Sequence, residues 1–258
     1  MKILFFGDIF GRPGRTAVKK FVEENKKELK ADLVIANVDN VASGRGPTNK
    51  TYLEMLEAGV DILTCGDHIW DNSEVLESLE QKDSCLVRPI NYPTSVPGRG
   101  MITVKVKGVD VLVASFLGRV FTAEGLDSPF SMYDELIRDR NEKIKIIDFH
   151  GEATSEKYAF GHYVSDDASA IIGTHTHVQT ADEHIMNKTA YITDVGSCGP
   201  TDSVIGVKKE LSLKRFLTGM PLRFEVSEGP AQINAVTVEI DEKSGKAKKI
   251  ERINKILD

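Results

Sequence analysis

Six short polar tips in this 258-residue chain each follow a run of apolar residues. Asp8 comes after residues 4–7, Asp39 and Asn40 after 33–37, and Asp67 and His68 after 62–66. His150 comes after 144–149, His175 and His177 after 171–174, and Asp194 after 191–193. Carboxylate, imidazole and carboxamide groups are the hard-to-borderline donors that divalent transition metals accept.

Taken singly, each tip has a plainer explanation. Asp8 suits a cap on a following helix. Asp39-Asn40 and Asp194 suit Asx-turns, Gly66-Asp67-His68 a turn with a surface histidine, and His150 a hydrogen-bonded core position. His175-Thr176-His177 says more, because two histidines at i and i+2 on an extended segment project to the same side. The recurrence of such groups at strand ends predicts a shared crevice for metal binding and catalysis, because loops converge there in α/β sheets. Asp194 alone keeps the turn reading.

Other candidates carry less. His162 and His184 fall away from strand ends and read as surface or supporting residues. Cys65 sits within a predicted strand, where a cysteine is more often core than nucleophile. No dinucleotide GxGxxG, P-loop or GxSxG elbow is present.

The elements that must position these groups alternate between strand-like and helix-like stretches over the first two-thirds of the chain. That pattern predicts an α/β fold of βαβ units around a largely buried sheet. Residues 2–7 are mainly apolar without alternation, as in a strand covered on both faces. Gly11-Arg12-Pro13-Gly14 then breaks the chain, with Pro13 suited to a first helical turn. Val18, Phe21, Val22 and Leu29 recur at helical spacing. Residues 33–37 and 61–65 read as strands, with a helix around Tyr52, Met55 and Leu56 and another over 73–79. Residues 84–100 read as a long loop rich in proline and glycine. A hairpin is expected from 101–106 and 111–116, turning at Gly108. Short buried strands are expected at 144–149, 170–173 and 191–193. A closing C-terminal hairpin would turn at Ser244-Gly245. No boundary divides residues 1–258, which read as one domain.

Composition sets the outer limits. Hydrophobic residues make up 41% and charged residues 28%, ordinary for a globular protein. No apolar run is long enough to span a bilayer, and the N-terminus does not resemble a signal peptide, so the cytoplasm is the expected compartment. Three widely spaced cysteines, Cys65, Cys85 and Cys198, read as reduced thiols. A net charge of −6 does not invite duplex nucleic acid. Lys19, Lys20, Lys26 and Lys27 alternate with Glu23, Glu24 and Glu28 and read as a solvated helix face. A homo-oligomer is compatible with the sequence, dimers being the commonest assembly.

Gly7-Asp8, Asp39-Asn40, Gly66-Asp67-His68, His150 and Gly173-Thr174-His175-Thr176-His177 together resemble the calcineurin-like metallophosphoesterases. The resemblance is closest to their YmdB-like branch, described as 2′,3′-cyclic-nucleotide 2′-phosphodiesterases. It extends over nearly the whole chain, through residues 148–157, 173–182 and 190–196, Arg88-Pro89, Pro97-Gly98 and Lys214-Arg215-Phe216.

The resemblance implies a sandwich of central β-sheets flanked by helices, and two divalent ions, iron or manganese with zinc a third option. Asp8, Asn40 and His177 would hold one ion and Asp67, His150 and His175 the other, with Asp39 bridging. His68 would be the proton donor. The implied reaction opens a small phosphate ester, a 2′,3′-cyclic nucleotide giving a 3′-nucleotide. This chain has Asp39 where the branch typically has Glu, and Asp67 where it has Asn. The shorter Asp39 needs a backbone shift or a monodentate contact to bridge. Asp67 adds a negative charge, which should tighten metal binding and weaken the ions as Lewis acids. Three other readings stay open: a phosphoesterase of different specificity, a metal-binding regulatory protein with weak or no turnover, and an amidohydrolase. The last is disfavoured because its HxH opens a barrel, whereas His175 and His177 come late.

Overall fold

Strand β1 (Lys2–Phe6) shows how the chain builds its layers. Successive side chains on a strand point to opposite faces, so Leu4 and Phe6 enter one core and Ile3 and Phe5 another, all four buried. In the computed structural model of the protein, which describes residues 1–122 and 125–257, helices cover one face and a second sheet covers the other.

The first sheet runs in the order β2 (Asp8–Ile9), β12 (Ser197–Pro200), β13 (Ala231–Ile240), β1, β3 (Leu33–Asn37), β4 (Ile62–Thr64), β5 (Leu86–Val87), with β14 (Ala247–Leu257) paired to β13. The second runs β10 (His184–Met186), β11 (Thr189–Ile192), β9 (Ala170–Thr174), β8 (Ile144–His150), β7 (Val109–Leu117), β6 (Met101–Val106). Within each, a set of four strands is parallel: β1, β3, β4 and β5 in one, β7, β8, β9 and β11 in the other. Ile3, Phe5, Ile35 and Ile62 of the first sheet meet Val113, Ile146, Ile172 and Ile192 of the second in one apolar layer.

Outside the first sheet lie α1 (Gly11–Leu29), α2 (Asn49–Glu57) and α3 (Val75–Glu80), which bury Val18, Phe21, Met55 and Leu79 against it. Outside the second lie α4 (Pro129–Tyr133) and α5 (Thr154–Val164), which bury Tyr133, Phe160 and Val164. The result is the α/β sandwich of central sheets flanked by helices. A further helix, α6 (Lys209–Thr218), stands apart from these layers with Leu213, Phe216 and Leu217 largely exposed.

Most expected elements appear near their predicted places. Pro13 lies in the first turn of α1, and α2 opens on a capping box in which Thr48 and Thr51 satisfy each other's amides. The 101–117 hairpin turns through Lys107 and Gly108, both at positive φ, the two-residue geometry that matches strand twist.

Several elements differ from expectation. The 73–79 helix starts at Val75, after a 3₁₀ turn over Asp67–Trp70. The 84–100 loop contains β5, whose backbone completes the edge next to β4. The C-terminal hairpin does not close an edge. Its first strand, β13, inserts antiparallel between β1 and β12, a placement that alternation along one strand cannot reveal. Strands β2, β10 and β12 are only two to four residues long and carry no readable period.

Candidate active site

The parallel strands of both sheets deliver their C-terminal ends to one place. Asp8 opens β2 just beyond the end of β1, Asp39 and Asn40 follow β3, Asp67 and His68 follow β4, His150 ends β8, and His175 and His177 follow β9. Gly66 lets the halves touch, because a Cβ there would lie 2.1 Å from His150 Cδ2 and 2.3 Å from its Nε2.

Two groups of lone-pair atoms converge. In the first, His177 Nδ1 donates to the carbonyl of Ile205 at 3.1 Å, which leaves Nε2 as an acceptor. Asn40 Nδ2 donates to the Gly44 carbonyl, so its Oδ1 faces His177 Nε2 at 2.9 Å. Asp8 Oδ1 lies 3.8 Å from the same Nε2. Three acceptors facing one another are electrostatically unfavourable unless a cation joins them.

In the second group, His150 Nε2 lies 3.1 Å from His175 Nδ1, 3.3 Å from Asp67 Oδ1 and 3.4 Å from Asp39 Oδ2. Asp67, His150 and His175 form one set with metal-ligand spacing, and Asp39, Asp67 and His68 a second that overlaps it.

The cluster's unpaired atoms are its clearest chemical feature. Asp8 Oδ1, Asp39 Oδ2 and Asp67 Oδ1 are buried with no hydrogen-bond partner among the described residues. Buried carboxylate oxygens are normally satisfied, and one carboxylate oxygen per residue aimed at a common space is what divalent cations require. The residues present therefore fit a metal centre. Asp39 is already committed on its other side, where Oδ1 accepts from the Gly66 and His68 amides and from the Cys65 thiol. Only Oδ2 is left, so the shorter aspartate offers a single oxygen.

Supporting contacts set the ring orientations. Asp148 is wholly buried and accepts from Thr64, Asn37 and Thr174. Because Thr174 Oγ1 gives its proton to Asp148, it is left to accept from His150 Nδ1 at 2.8 Å, and His150 Nε2 then presents its lone pair to the cluster. His175 Nε2 lies 3.2 Å from Glu152 Oε2, which turns Nδ1 inward. His68 Nδ1 lies 3.0 Å from Asp71 Oδ2, leaving Nε2 as the ring atom that can carry a proton elsewhere.

Charges shift accordingly. Burial pushes the Asp8 carboxyl up, with His177 and His150 pulling back. For Asp39 burial acts upward too, yet His150 beside it holds the carboxyl below its usual range. Burial opposes protonation of His150, but Asp39, Asp67 and Asp8 hold its pKa well above the imidazole range. A proton and a metal ion would thus compete for the same Nε2. Burial and the nearby His150 bring His175 down to about 4, so it is neutral near pH 7. Burial and the adjacent Asp39 hold the Cys65 thiol well above its ordinary pKa, in keeping with a core thiol that donates.

One sequence expectation needs correction. His175 and His177 do not project together from an extended segment. β9 ends at Thr174, and both histidines have positive φ, 96° and 65°. Thr176 between them is hooked by its amide and hydroxyl to Asp194 Oδ2, so the imidazoles part, one to each group. Asp194 does make the expected turn, accepting from the Gly196 amide. It is also the buried partner of Lys157 at 2.7 Å, and Lys157 further donates to the Thr174 carbonyl. This clamp holds a backbone whose two left-handed residues cost about 1–3 kcal/mol each.

Sequence reasoning missed Asp148, Glu152, Asp71 and Lys157 as supports. Asp148 had a signal, since a carboxylate two residues before His150 on an apolar strand shares its face. Asp71 had a weaker one, three residues after His68 on a helical turn.

The cluster floors a cleft of about 970 Å³, and residues 205–226 supply one wall of it. Arg45, Arg215 and Arg223 line it with Phe10 and Phe224.

A family model described as YmdB-like protein matches residues 4–253. The chain is 46% identical over 256 residues to the 2′,3′-cyclic-nucleotide 2′-phosphodiesterase of Bacillus subtilis (strain 168), covering 98% of this chain and 96% of that protein. Among solved structures, a phosphatase from Mycoplasma pneumoniae gives a TM-score of 0.94 at 38% identity, covering 99% of this chain and 93% of that one. A hypothetical protein from Thermus thermophilus gives 0.93 at 38% identity, with 99% of both chains covered. Matches of this length, over a cluster built from both sheets, place the chain in the YmdB-like protein family.

Proposed function

We propose that the chain is a dinuclear-metal phosphodiesterase of the cytoplasm that hydrolyses small phosphate esters, opening 2′,3′-cyclic nucleotides to 3′-nucleotides. The observation that carries this reading is the set of three buried, unpartnered carboxylate oxygens facing imidazole nitrogens at the floor of an open cleft. The named activity of the 46% identical Bacillus subtilis relative supports the choice of ester.

Asp8, Asn40 and His177 would hold one ion and Asp67, His150 and His175 the other, with Asp39 Oδ2 shared. The mixed nitrogen and oxygen donors suit iron or manganese, and zinc is a third option. Such a pair, once bound, polarises phosphoryl oxygens and lowers the pKa of a water that attacks phosphorus.

The chain's own residues do the rest. His68, oriented through Nδ1 by Asp71, holds at Nε2 the proton that the departing 2′-oxygen needs. Arg45 and Arg223, which line the cleft, offset the ester's negative charge. Glu152 and Asp148 keep the His175 and His150 rings turned so that a lone pair of each faces the carboxylate cluster that would hold the ions.

His68→Ala is expected to lower kcat on 2′,3′-cyclic AMP by about 10²–10⁴-fold, the range for a positioned general acid. Metal content by elemental analysis should stay at the wild-type level. Wild-type turnover in the variant would remove His68 from this role.

A further inference from the structure

We propose that the cleft wall formed by residues 205–226 binds a planar base, with Phe224 as the stacking surface and Arg215 as the cation that orders it. The wall would then select nucleoside esters over esters without a base. The inference deepens the phosphodiesterase reading and rests on it for the reaction, though not for the base site itself.

Size is the first observation. At about 970 Å³ the cleft lies near the upper end of the roughly 300–1,000 Å³ typical of small-molecule sites, far more than a phosphoryl group needs. Its two sides also differ in chemistry. The floor is carboxylate and imidazole, whereas the 205–226 segment brings apolar Ile205, Val207, Leu222 and Phe224 to the lining, beside the charged Arg215, Arg223 and Glu225.

Phe224 is 44% exposed there. The Arg215 guanidinium from α6 lies 5.3 Å from its ring centroid, and Arg215 makes no ion pair among the described residues. A solvated aromatic face beside a guanidinium without a carboxylate partner matches the chemistry by which unpaired bases are held, stacking on aromatic rings and arginine planes.

The wall is also fixed in distance from the metal cluster. Residues 204–208 and 225–227 form a short ladder, with Val207 bridging Val226, the Lys208 amide donating to Glu225 and the Ser227 amide to Gly206. Val226 packs against Gly11, where a Cβ would lie 3.0 Å from its methyls. Ile205 supplies the carbonyl that accepts from His177 Nδ1. Phe224 immediately precedes this ladder, so a base on it and a phosphoryl group at the cluster would be held by hydrogen-bonded neighbouring segments, which favours a ligand that joins the two.

The test compares adenosine 2′,3′-cyclic phosphate with glycerol 1,2-cyclic phosphate, which carries the same strained ester and no base. In Phe224→Ala the ratio of kcat/KM for the first over the second should fall by about 5- to 100-fold, the loss expected when a stacked base loses its aromatic partner. Phe224→Trp should keep the ratio. Equal losses on both esters would make the Arg215–Phe224 pair a structural fastening and overturn the base wall.

Calorimetry with adenosine 3′-phosphate and with inorganic phosphate separates the two readings. A protein that turns over neither ester, yet prefers the nucleotide and loses that preference in Phe224→Ala, keeps the base wall and removes the phosphodiesterase reading. A protein without the preference loses the base wall, whatever it hydrolyses.

Discussion

Asp148 faces none of the unpartnered oxygens, yet it decides which nitrogen of His150 does. Its carboxylate accepts from Thr174, Asn37 and Thr64, and the hydroxyl of Thr174 is thereby committed as an acceptor for His150 Nδ1. Burial pushes this carboxyl up to about 6, with His150 pulling it back, so near pH 7 it is mainly the acceptor the chain of bonds needs. Asp148→Asn replaces one acceptor oxygen with an NH₂ that cannot take these donors. Manganese affinity measured by calorimetry is expected to weaken about 10- to 100-fold, as for other partners of metal-binding histidines, and far-ultraviolet circular dichroism should be unchanged. Undiminished affinity would show that His150 is oriented by the packing around its ring. Asp39 and Asp67 belong to this scale too. Asp39 is confined to one free oxygen by three donors on the other, and Asp67 brings a charged oxygen within 3.3 Å of His150 Nε2.

At the scale of elements, the site depends on short connections that stop strands at the right residue. β4 ends three residues before Asp67, and the 3₁₀ turn that follows carries Asp67, His68 and, one residue on, Asp71. Elsewhere β6 is tied to the turn before β8 through Glu142. That carboxylate accepts from Arg140 at 2.5 and 3.1 Å and from Thr103 at 2.8 Å. The Arg140 guanidinium holds Glu142 down to about 2, with burial pushing back and Thr103 adding a smaller pull downward. A folded-state pKa below the unfolded one, near 4.3, means stability that is full above pH 4.3 and lost as pH falls toward 2. The melting temperature of Glu142→Gln should accordingly sit below wild type at pH 7, and the gap should close as pH falls through this window. The pair is near the surface, so the expected gap is small, on the order of 2 °C. A gap that persists at pH 2 would assign the effect to packing of the side chain.

On the scale of the whole molecule, the two sheets each supply half of the cluster. Asp8, Asp39, Asn40 and Asp67 come from the first, His150, His175 and His177 from the second. What holds the halves in register is the apolar layer between the sheets, with Phe5 fully buried in it. Phe5→Ala should cost about 3–5 kcal/mol in urea unfolding. Divalent ions shared between the halves would bind only the docked state, so manganese at 100 times its Kd should return about 2.7 kcal/mol, and a chelator should remove that gain. If unfolding midpoints do not respond to metal, the two halves do not share a cation.

The local chemistry was legible in the residues themselves. Runs such as 33–37 and 144–149 are apolar enough to declare buried strands, and the polar residues that end them are Asp39, Asn40 and His150, which the structure brings together. Lys107-Gly108 likewise declares its turn, since a two-residue hairpin needs positive φ. These readings succeed because periodicity and turn chemistry act over a few residues. Other features depend on groups distant in the chain. That β13 inserts beside β1, that Lys157 pins the loop carrying His175 and His177 through Asp194, and that Ile205 reaches back to orient His177 are decided by packing across 28 to 239 residues of separation. The amino-acid order names the donors, and only the docking of two sheets brings their lone pairs close enough to need a cation.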